Sequence, residues 1–130
     1  MSNNGSSFAY IRQLNADAIQ ASCAAKQRYS QEMIGRSSGG TSCTVSYIAV
    51  PVGSGSPAGL HVHEVDQMFY ILSGSLNVEV DGMVRNVNPG SLVVFPAGVP
   101  HRNWNDGPEE AVYLAINAPL SHPSDSAKPI

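Results

Sequence analysis

Residues 55–74, GSPAGLHVHEVDQMFYILSG, place His61, His63 and Gln67 at odd-numbered positions. Successive side chains of an extended strand point to opposite faces, so these three polar groups are predicted to share one face. The same parity is shared by Val65, Phe69 and Ile71. This mixed face is predicted to point into an apolar interior, where each polar group needs a partner. Because two neighbouring imidazoles on one face can bind the same ion, the stretch predicts a metal site.

A second stretch, residues 90–105, adds a further candidate ligand within the sequence GSLVVFPAGVPHRNWN. His101 follows an apolar run and a Pro-Ala-Gly-Val-Pro turn, which is predicted to deliver its ring to a fixed position. Three imidazole nitrogens and the amide oxygen of Gln67 would then surround a divalent cation and leave room for water or substrate. In the alternative interpretation, Gln67 only forms hydrogen bonds and the metal has three protein ligands.

The two stretches together resemble the paired signature of the cupin superfamily. Gly, five residues, His-x-His, three or four residues, Glu, six residues and Gly form the first family pattern. It is matched by Gly55, His61, His63 and Gly74, with Gln67 in the place of the usual glutamate. The second pattern is matched by Gly90, Pro96, Gly98, His101 and Asn105. The resemblance covers roughly residues 41–118 and implies an all-β jelly roll, or double-stranded β-helix, that holds a divalent transition metal (Fe, Mn, Ni or Zn).

Length and composition narrow the class of protein further. A chain of 130 residues forms a single domain, and its net charge of −3 without a basic run argues against a nucleic-acid partner. No apolar run reaches the length of a membrane span, and the first residues, MSNNGSS, lack the pattern of a signal peptide. Cys23 and Cys43 lack a metal-binding or redox spacing, so reduced thiols and a cytoplasmic location are predicted.

Local signals divide the chain into three parts. Residues 1–14 are predicted to be flexible, residues 15–118 to form one barrel domain with a short N-terminal helix at 15–26, and residues 119–130 to be a Pro/Ser-rich tail. The predicted strands are 29–34, 41–50, 76–80, 83–87, 91–96 and 112–117, with Asp81-Gly82 as a hairpin turn. His122 in the tail is either an exposed residue or part of a lid over the site.

Few groups are predicted to assist the metal. Tyr47 and Phe69 are expected to line the substrate pocket, with Tyr47 either an inner hydroxyl or a packed core residue. Strand parity turns Glu64 and Asp66 away from the ligand face, so no acid/base pair is visible beside the metal. The neutral amide of Gln67 leaves the full charge of the cation for bound water or substrate, which favours chemistry in which the ion polarises a chelating oxygen substrate.

The resemblance implies three possible functions. The first, which is the preferred one, is a metal-dependent dioxygenase-type oxidoreductase that acts on a small enol, diketone or flavonol-like compound. The second is a non-redox isomerase, cyclase or unsaturated sugar-acid converting enzyme. The third is a non-catalytic module that binds a small molecule. Stand-alone cupins of this size mostly pair, and a strand at 29–34 would leave an exposed sheet edge, so a homodimer is predicted.

Overall fold

The computed structural model describes residues 10–40, 42–55, 59–120 and 128–129. Within these ranges a short helix precedes a series of strands, and a 3-10 turn lies at Arg36–Ser38. The elements are α1 (Ala16–Ala24), β1 (Tyr29–Ile34), β2 (Thr44–Val50), β3 (His61–Val62), β4 (Asp66–Ser73), β5 (Leu76–Val80), β6 (Met83–Val87), β7 (Leu92–Phe95), β8 (His101–Trp104), β9 (Ala111–Ala118) and β10 (Lys128–Pro129).

The strands form two five-stranded antiparallel sheets. The first sheet has the order β1-β2-β9-β4-β7 and the second has the order β10-β3-β8-β5-β6. The core lies between them and is built by alternate residues of both sheets, since successive side chains leave opposite faces. Its members are Ile48, Val50, Phe69, Ile71, Leu76, Val78, Val93, Phe95, Ala111, Tyr113 and Ala115. The predicted all-β double-stranded β-helix with one N-terminal helix is therefore confirmed.

The helix α1 begins at a side-chain cap and lies against the edge of the first sheet. Asn15 accepts a hydrogen bond of 3.0 Å from the backbone N–H of Ala18, as expected of an N-cap asparagine. The side chain of Gln31 in β1 bonds to the backbone of Asn15 at 2.9 Å and of Gln13 at 3.0 Å. These bonds attach the start of the helix to β1, the edge strand that needs cover.

The hairpin between β5 and β6 follows directly from its turn residues. Asp81 and Gly82 both have positive φ, of 51° and 79°, which matches the twist of the flanking strands. The two strands pair from Val80 with Met83 to Leu76 with Val87. Both strand predictions here agree with the structure at each end.

The stretch 55–74 is not one strand, which corrects the first prediction. His61 lies in β3 of the second sheet, whereas Gln67 lies in β4 of the first, so the chain changes sheets between Val62 and Asp66. Parity along the sequence cannot detect this crossing, because both sheets direct one face toward the same interior. The polar groups still face inward, but they arrive from opposite layers.

Other differences concern the ends and short strands. The strand predicted at 41–50 begins at Thr44, and a 3-10 segment at Arg36–Ser38 lies between β1 and β2. Local sequence signals do not predict β8, nor β10, which pairs with β3. The prediction that His122 is an exposed tail residue or part of a lid lies outside the described residues. Among the residues that the structure describes, no helix has the length and apolarity needed to cross a bilayer.

Candidate metal centre

Three imidazoles converge between the two sheets. His61 in β3 and His101 in β8 are direct cross-strand partners, and their ring centroids are 4.4 Å apart. The ring of His63 lies 5.2 Å from each of the other two. One ligand nitrogen from each ring falls within 4.8 Å of the others. The structure therefore brings together the three histidines that the sequence proposed as ligands.

The turn before His101 is fixed to the first motif by backbone hydrogen bonds. Gly98 has a φ of 77°, a conformation that a side chain would strain, and its N–H donates to the carbonyl of His63 at 2.9 Å. Val99 N–H closes the turn onto the carbonyl of Pro96 at 3.1 Å. Because the turn bonds to the residue that carries one candidate ligand, the third imidazole is placed relative to that ligand and not only relative to its own strand.

Two of the ring nitrogens have the features of metal-ligand atoms. His101 Nδ1 lies 3.0 Å from the carbonyl of Val99, which fixes the proton on Nδ1 and leaves the lone pair on Nε2. That Nε2 and the Nδ1 of His61 are buried and have no hydrogen-bond partner among the described residues. Buried polar atoms are normally paired, so these lone pairs fit a cation as their partner.

Burial also keeps the rings in the form that a metal requires. Desolvation lowers the pKa of His63 to about 4, with the neighbouring rings of His101 and His61 acting in the same direction. Burial likewise lowers the pKa of His61 and of His101, against weaker opposing effects of backbone hydrogen bonds with Gly59 and Val99. The three rings are therefore neutral at pH 7 and can donate lone pairs without first losing a proton.

Gln67 lies on the inner face of the first sheet. It shares strand parity with the buried Phe69 and Ile71, and it pairs in register with Phe95 of β7 and Asn117 of β9. The Phe95 ring in turn stacks on His101 with centroids 4.4 Å apart. This arrangement puts the amide one strand away from a residue that touches the histidines, and its role as a ligand remains a prediction.

The two predicted pocket residues lie on opposite faces of the first sheet. Phe69 is 3% exposed and packs on Phe95 and Tyr113, with ring centroids 4.9 Å and 4.2 Å away. It therefore supports the ring beneath His101. Tyr47 does not face the interior, which corrects the expectation of an inner hydroxyl.

The position of Tyr47 follows from the alternation of β2. Ile48 and Val50 face the core, so Tyr47 points outward, where its ring centroid is 6.4 Å from that of Tyr29. Burial on that side raises the pKa of Tyr47, and the nearby Glu110 carboxylate raises it further. The sequence prediction failed here because alternation gives two faces but does not say which one is inner.

The carboxylates near the motif point outward, as parity predicted. Glu64 pairs with Lys128, and Asp66 accepts a hydrogen bond of 2.8 Å from the backbone of Ala97. Glu79 forms an ion pair of 2.8 Å with Arg102. Among the described residues, no Asp or Glu joins the histidine group.

Asn105 and Asn117 place amide groups in the interior, and Asn105 is also part of the second predicted motif. Asn105 is buried and holds the loop after β8: its Nδ2 donates to the carbonyls of Val50 at 3.0 Å and Glu109 at 2.9 Å. These bonds give Asn105 a structural role in that loop. Sequence reasoning did not single out Asn117, whose Oδ1 is buried without a partner among the described residues. Its parity with Tyr113 could have indicated it.

The family of the chain follows from its sequence match. A family model described as the cupin domain matches residues 46–117, which is more than half of the chain. The chain belongs to the cupin family. The sequence has no significant match among curated proteins.

Solved structures of other cupin folds superpose on this cupin at low sequence identity. The polyketide cyclase RemF from Streptomyces resistomycificus is 21% identical with a TM-score of 0.68, over 81% of this chain and 72% of that one. An RmlC-like cupin with a double-stranded β-helix fold from Methanocaldococcus jannaschii is 16% identical with a TM-score of 0.68, over 86% and 92%. At these identities the likeness concerns the fold alone.

A third solved structure is longer than this cupin. The DMSP lyase DddQ from Ruegeria pomeroyi DSS-3 is 20% identical with a TM-score of 0.66. The alignment covers 91% of this chain but 56% of the lyase, so this cupin spans a little over half of that protein.

Proposed function

We propose that this cupin is a metal-dependent enzyme that acts on a small substrate through the substrate's oxygen atoms. The observation that carries the proposal is the convergence of three neutral imidazoles, two of which have buried, unpartnered nitrogens among the described residues. His61, His63 and His101 would hold a divalent transition ion (Fe, Mn, Ni or Zn), and Gln67 would supply the fourth ligand. All four groups are uncharged, so the charge of the ion would be available to the substrate.

The residues fit a Lewis-acid site better than a site for side-chain acid/base catalysis. When bound, such an ion polarises the carbonyl or enolate oxygens of a substrate. The protein's own contribution is to hold neutral ligands in place and to surround them with apolar side chains such as Phe95 and Phe69, which exclude water and strengthen electrostatic interactions. The absence of a carboxylate from the histidine group, within the described residues, leaves no side-chain base of that kind beside the ligands.

Two reaction types agree with this site. A dioxygenase-type oxidoreductase on an enol, diketone or flavonol-like substrate is the first. A non-redox cyclase, isomerase, lyase or unsaturated sugar-acid converting enzyme is the second, and the uncharged ligand set favours it because the ion keeps its Lewis acidity. Two proteins of similar fold are named for non-redox activities, one as a polyketide cyclase and the other as a DMSP lyase.

Elemental analysis followed by a substrate panel tests the proposal. The purified protein is expected to retain about one transition ion per chain, and metal removal is expected to abolish turnover. Quercetin, acetylacetone and an unsaturated uronate would be supplied with and without oxygen. Oxygen consumption that matches substrate loss identifies the dioxygenase, and turnover without oxygen identifies the non-redox enzyme. Metal binding without turnover of any substrate would support a binding module, and failure to bind any transition ion would overturn the proposal.

We also propose that the protein is a cytoplasmic homodimer. Cys23 and Cys43 are free thiols, which agrees with a reducing compartment. On the outer face of the first sheet, neighbouring strands β4 and β7 expose Tyr70, Leu72, Leu92 and Val94 by 41%, 42%, 57% and 47%. Such a patch beside an edge strand is typical of a contact surface, and the absence of charged side chains among these residues suits a second copy of the same face.

A further inference from the structure

One polar atom of the described interior lacks a partner and belongs to none of the three histidines. It is Oδ1 of Asn117, near the end of β9, which is buried without a hydrogen bond among the described residues. A buried amide oxygen that accepts no hydrogen bond costs free energy, and such atoms are rare in folded proteins. At His61 and His101 the same situation marks candidate ligand atoms. Oδ1 of Asn117 is therefore a candidate for an atom that binds an added group.

Strand register connects Asn117 to the histidines. It lies opposite Thr44 of β2 on one side and opposite Gln67 of β4 on the other. Gln67 in turn lies opposite Phe95, whose ring stacks on His101. One row of inner-face residues, Thr44, Asn117, Gln67 and Phe95, thus crosses four strands of the first sheet and ends against the imidazoles.

This row, at one end of the first sheet, contains more polar residues than the rows that follow it along the strands. Two positions further along the strands, Ser46 is the only polar residue of the row that also contains Ala115, Phe69 and Val93. The following row contains the core residues Ile48, Tyr113 and Ile71. The polar side chains on the inner face of the first sheet are therefore concentrated at the end beside the histidines, and mainly apolar side chains follow them along the strands.

We propose that Asn117 is a substrate-binding residue and that its amide hydrogen-bonds to a hydroxyl group of the substrate. This inference rests on the proposed function and narrows its substrate class. The substrate would be a cyclic chelator whose two oxygen atoms bind the metal, with a hydroxyl on the far side of the ring. A hydroxyl fits because it both donates to an amide oxygen and accepts from an amide nitrogen. Asn117 lies one strand, about 4.8 Å, beyond Gln67, a distance that a six-membered ring can span.

A pair of chelators that differ only in the distal hydroxyl tests the assignment. Kojic acid and allomaltol share the same hydroxypyranone chelating group, but only kojic acid carries the hydroxyl, on its 2-methyl carbon. Each would be titrated into the cobalt(II)-loaded full-length protein, and the visible absorption of cobalt would report binding at the metal. The wild-type protein is expected to bind kojic acid about two- to tenfold more tightly, the range that one hydrogen bond supplies.

Substitution of Asn117 tests recognition of the distal hydroxyl separately from binding of the probe to the metal. Asn117→Ala is expected to bind both probes equally, with unchanged cobalt content and without a lower Tm, because Oδ1 has no hydrogen-bond partner among the described residues to lose. Asn117→Val, whose β-branched side chain suits a strand and carries no hydrogen-bonding group, serves as a second variant with the same expected loss of preference. Asn86→Ala, at an exposed asparagine of β6, is the control and should keep the preference.

The outcomes distinguish this inference from the function on which it rests. Equal affinity of the wild-type protein for the two probes, with cobalt bound and its spectrum shifted by both, would overturn the role of Asn117 alone. A preference for kojic acid that persists in both Asn117 variants would do the same. A wild-type protein that binds no cobalt, or whose cobalt spectrum responds to neither probe, would overturn the proposed function and this inference with it.

Discussion

The ring of His101 is held more completely than the rings of the other two histidines. It is 0% exposed, stacks on Phe95 and has its Nδ1 fixed by the carbonyl of Val99. A ligand whose tautomer and orientation are set before the ion arrives loses little entropy on binding. Of the three candidate ligands, His101 is thus the one whose removal should cost most in metal affinity.

We predict that His101→Ala abolishes metal retention. Loss of an outer-shell partner of a ligand typically costs about 10- to 100-fold in metal affinity, so loss of the ligand itself should cost at least about 100-fold. Elemental analysis after dialysis measures the effect. Glu64→Gln, in the same motif but turned outward toward Lys128, is the matched control and should retain the metal. Equal metal content in the two variants would exclude His101 as a ligand.

Opposite changes at Gln67 should move metal affinity in opposite directions. Gln67→Ala removes the proposed fourth ligand and is expected to weaken metal binding about tenfold, equivalent to about 1.4 kcal/mol. Gln67→Glu introduces a negative charge and is expected to strengthen binding while it reduces the Lewis acidity of the ion. Competition with a metal-sensitive dye measures both. An unchanged affinity in Gln67→Ala would favour the alternative in which three histidines alone hold the metal.

The metal-free protein should become less stable as the pH falls from about 6.5 to about 4, because the pKa of His63 is lowered in the folded state. Burial lowers the folded-state pKa of His63 to about 4, whereas a histidine in the unfolded chain has a pKa of about 6.5. Between these values the unfolded chain binds more protons, so the free energy of unfolding decreases as the pH decreases. Urea titrations across this range measure the slope. His63→Ala should make it shallower, and an identical slope in that variant would contradict the assignment.

At the scale of the elements, two glycines of the turns should differ in their tolerance of a side chain. Gly82 has a φ of 79° and open space where a methyl group would lie, whereas Gly74 has a φ of 70° and a methyl group there would meet the backbone of Glu110 and Ala111. Gly82→Ala is expected to cost about 1 kcal/mol, from backbone strain alone. Gly74→Ala should cost about 3 kcal/mol or more, because strain and overlap add. Urea unfolding of both variants compares them, and equal losses would contradict this account.

The elements that can be predicted from the sequence are those whose signals are local. The hairpin of β5 and β6 follows from Asp81-Gly82 and the alternation around it, and α1 follows from the cap at Asn15. The crossing between β3 and β4 cannot be predicted in this way, because a two-residue strand carries no periodicity of its own. Its place is set by pairing with β8, a contact that lies far away in the sequence.

Prediction of the site succeeds where spacing alone fixes the geometry. The motifs bring His61, His63 and His101 together. Alternation in β2 does not show which face is inner, and Tyr47 lies on the outer one. Asn117 is overlooked because its strand shows its clearest alternation at Val112, Leu114 and Ile116, and the inner residues of that strand are at the odd positions. The direction of a face depends on tertiary packing, which a single strand does not encode.

At the scale of the whole molecule, charge on the exposed apolar face should separate the proposed dimer. Leu92→Lys would place an ammonium group in the contact, where burial of an unpaired charge is unfavourable. Sedimentation at micromolar concentration is expected to show a dimer for the wild-type protein and a monomer for the variant. Val84→Lys, at a similarly exposed valine of β6, is the control and should remain dimeric. A wild-type monomer would reject the dimer.

The crossing of the chain between Val62 and Asp66 has a mechanical consequence. The histidines belong to the second sheet and to the crossing segment, and the amide belongs to the first sheet, so an ion shared by all four would connect the two sheets. Its departure would release both at once. Amide protons of β4 and β8, which are not hydrogen-bonded to each other, should then both exchange faster with solvent. Local opening of both sheets would therefore depend on whether the metal site is occupied.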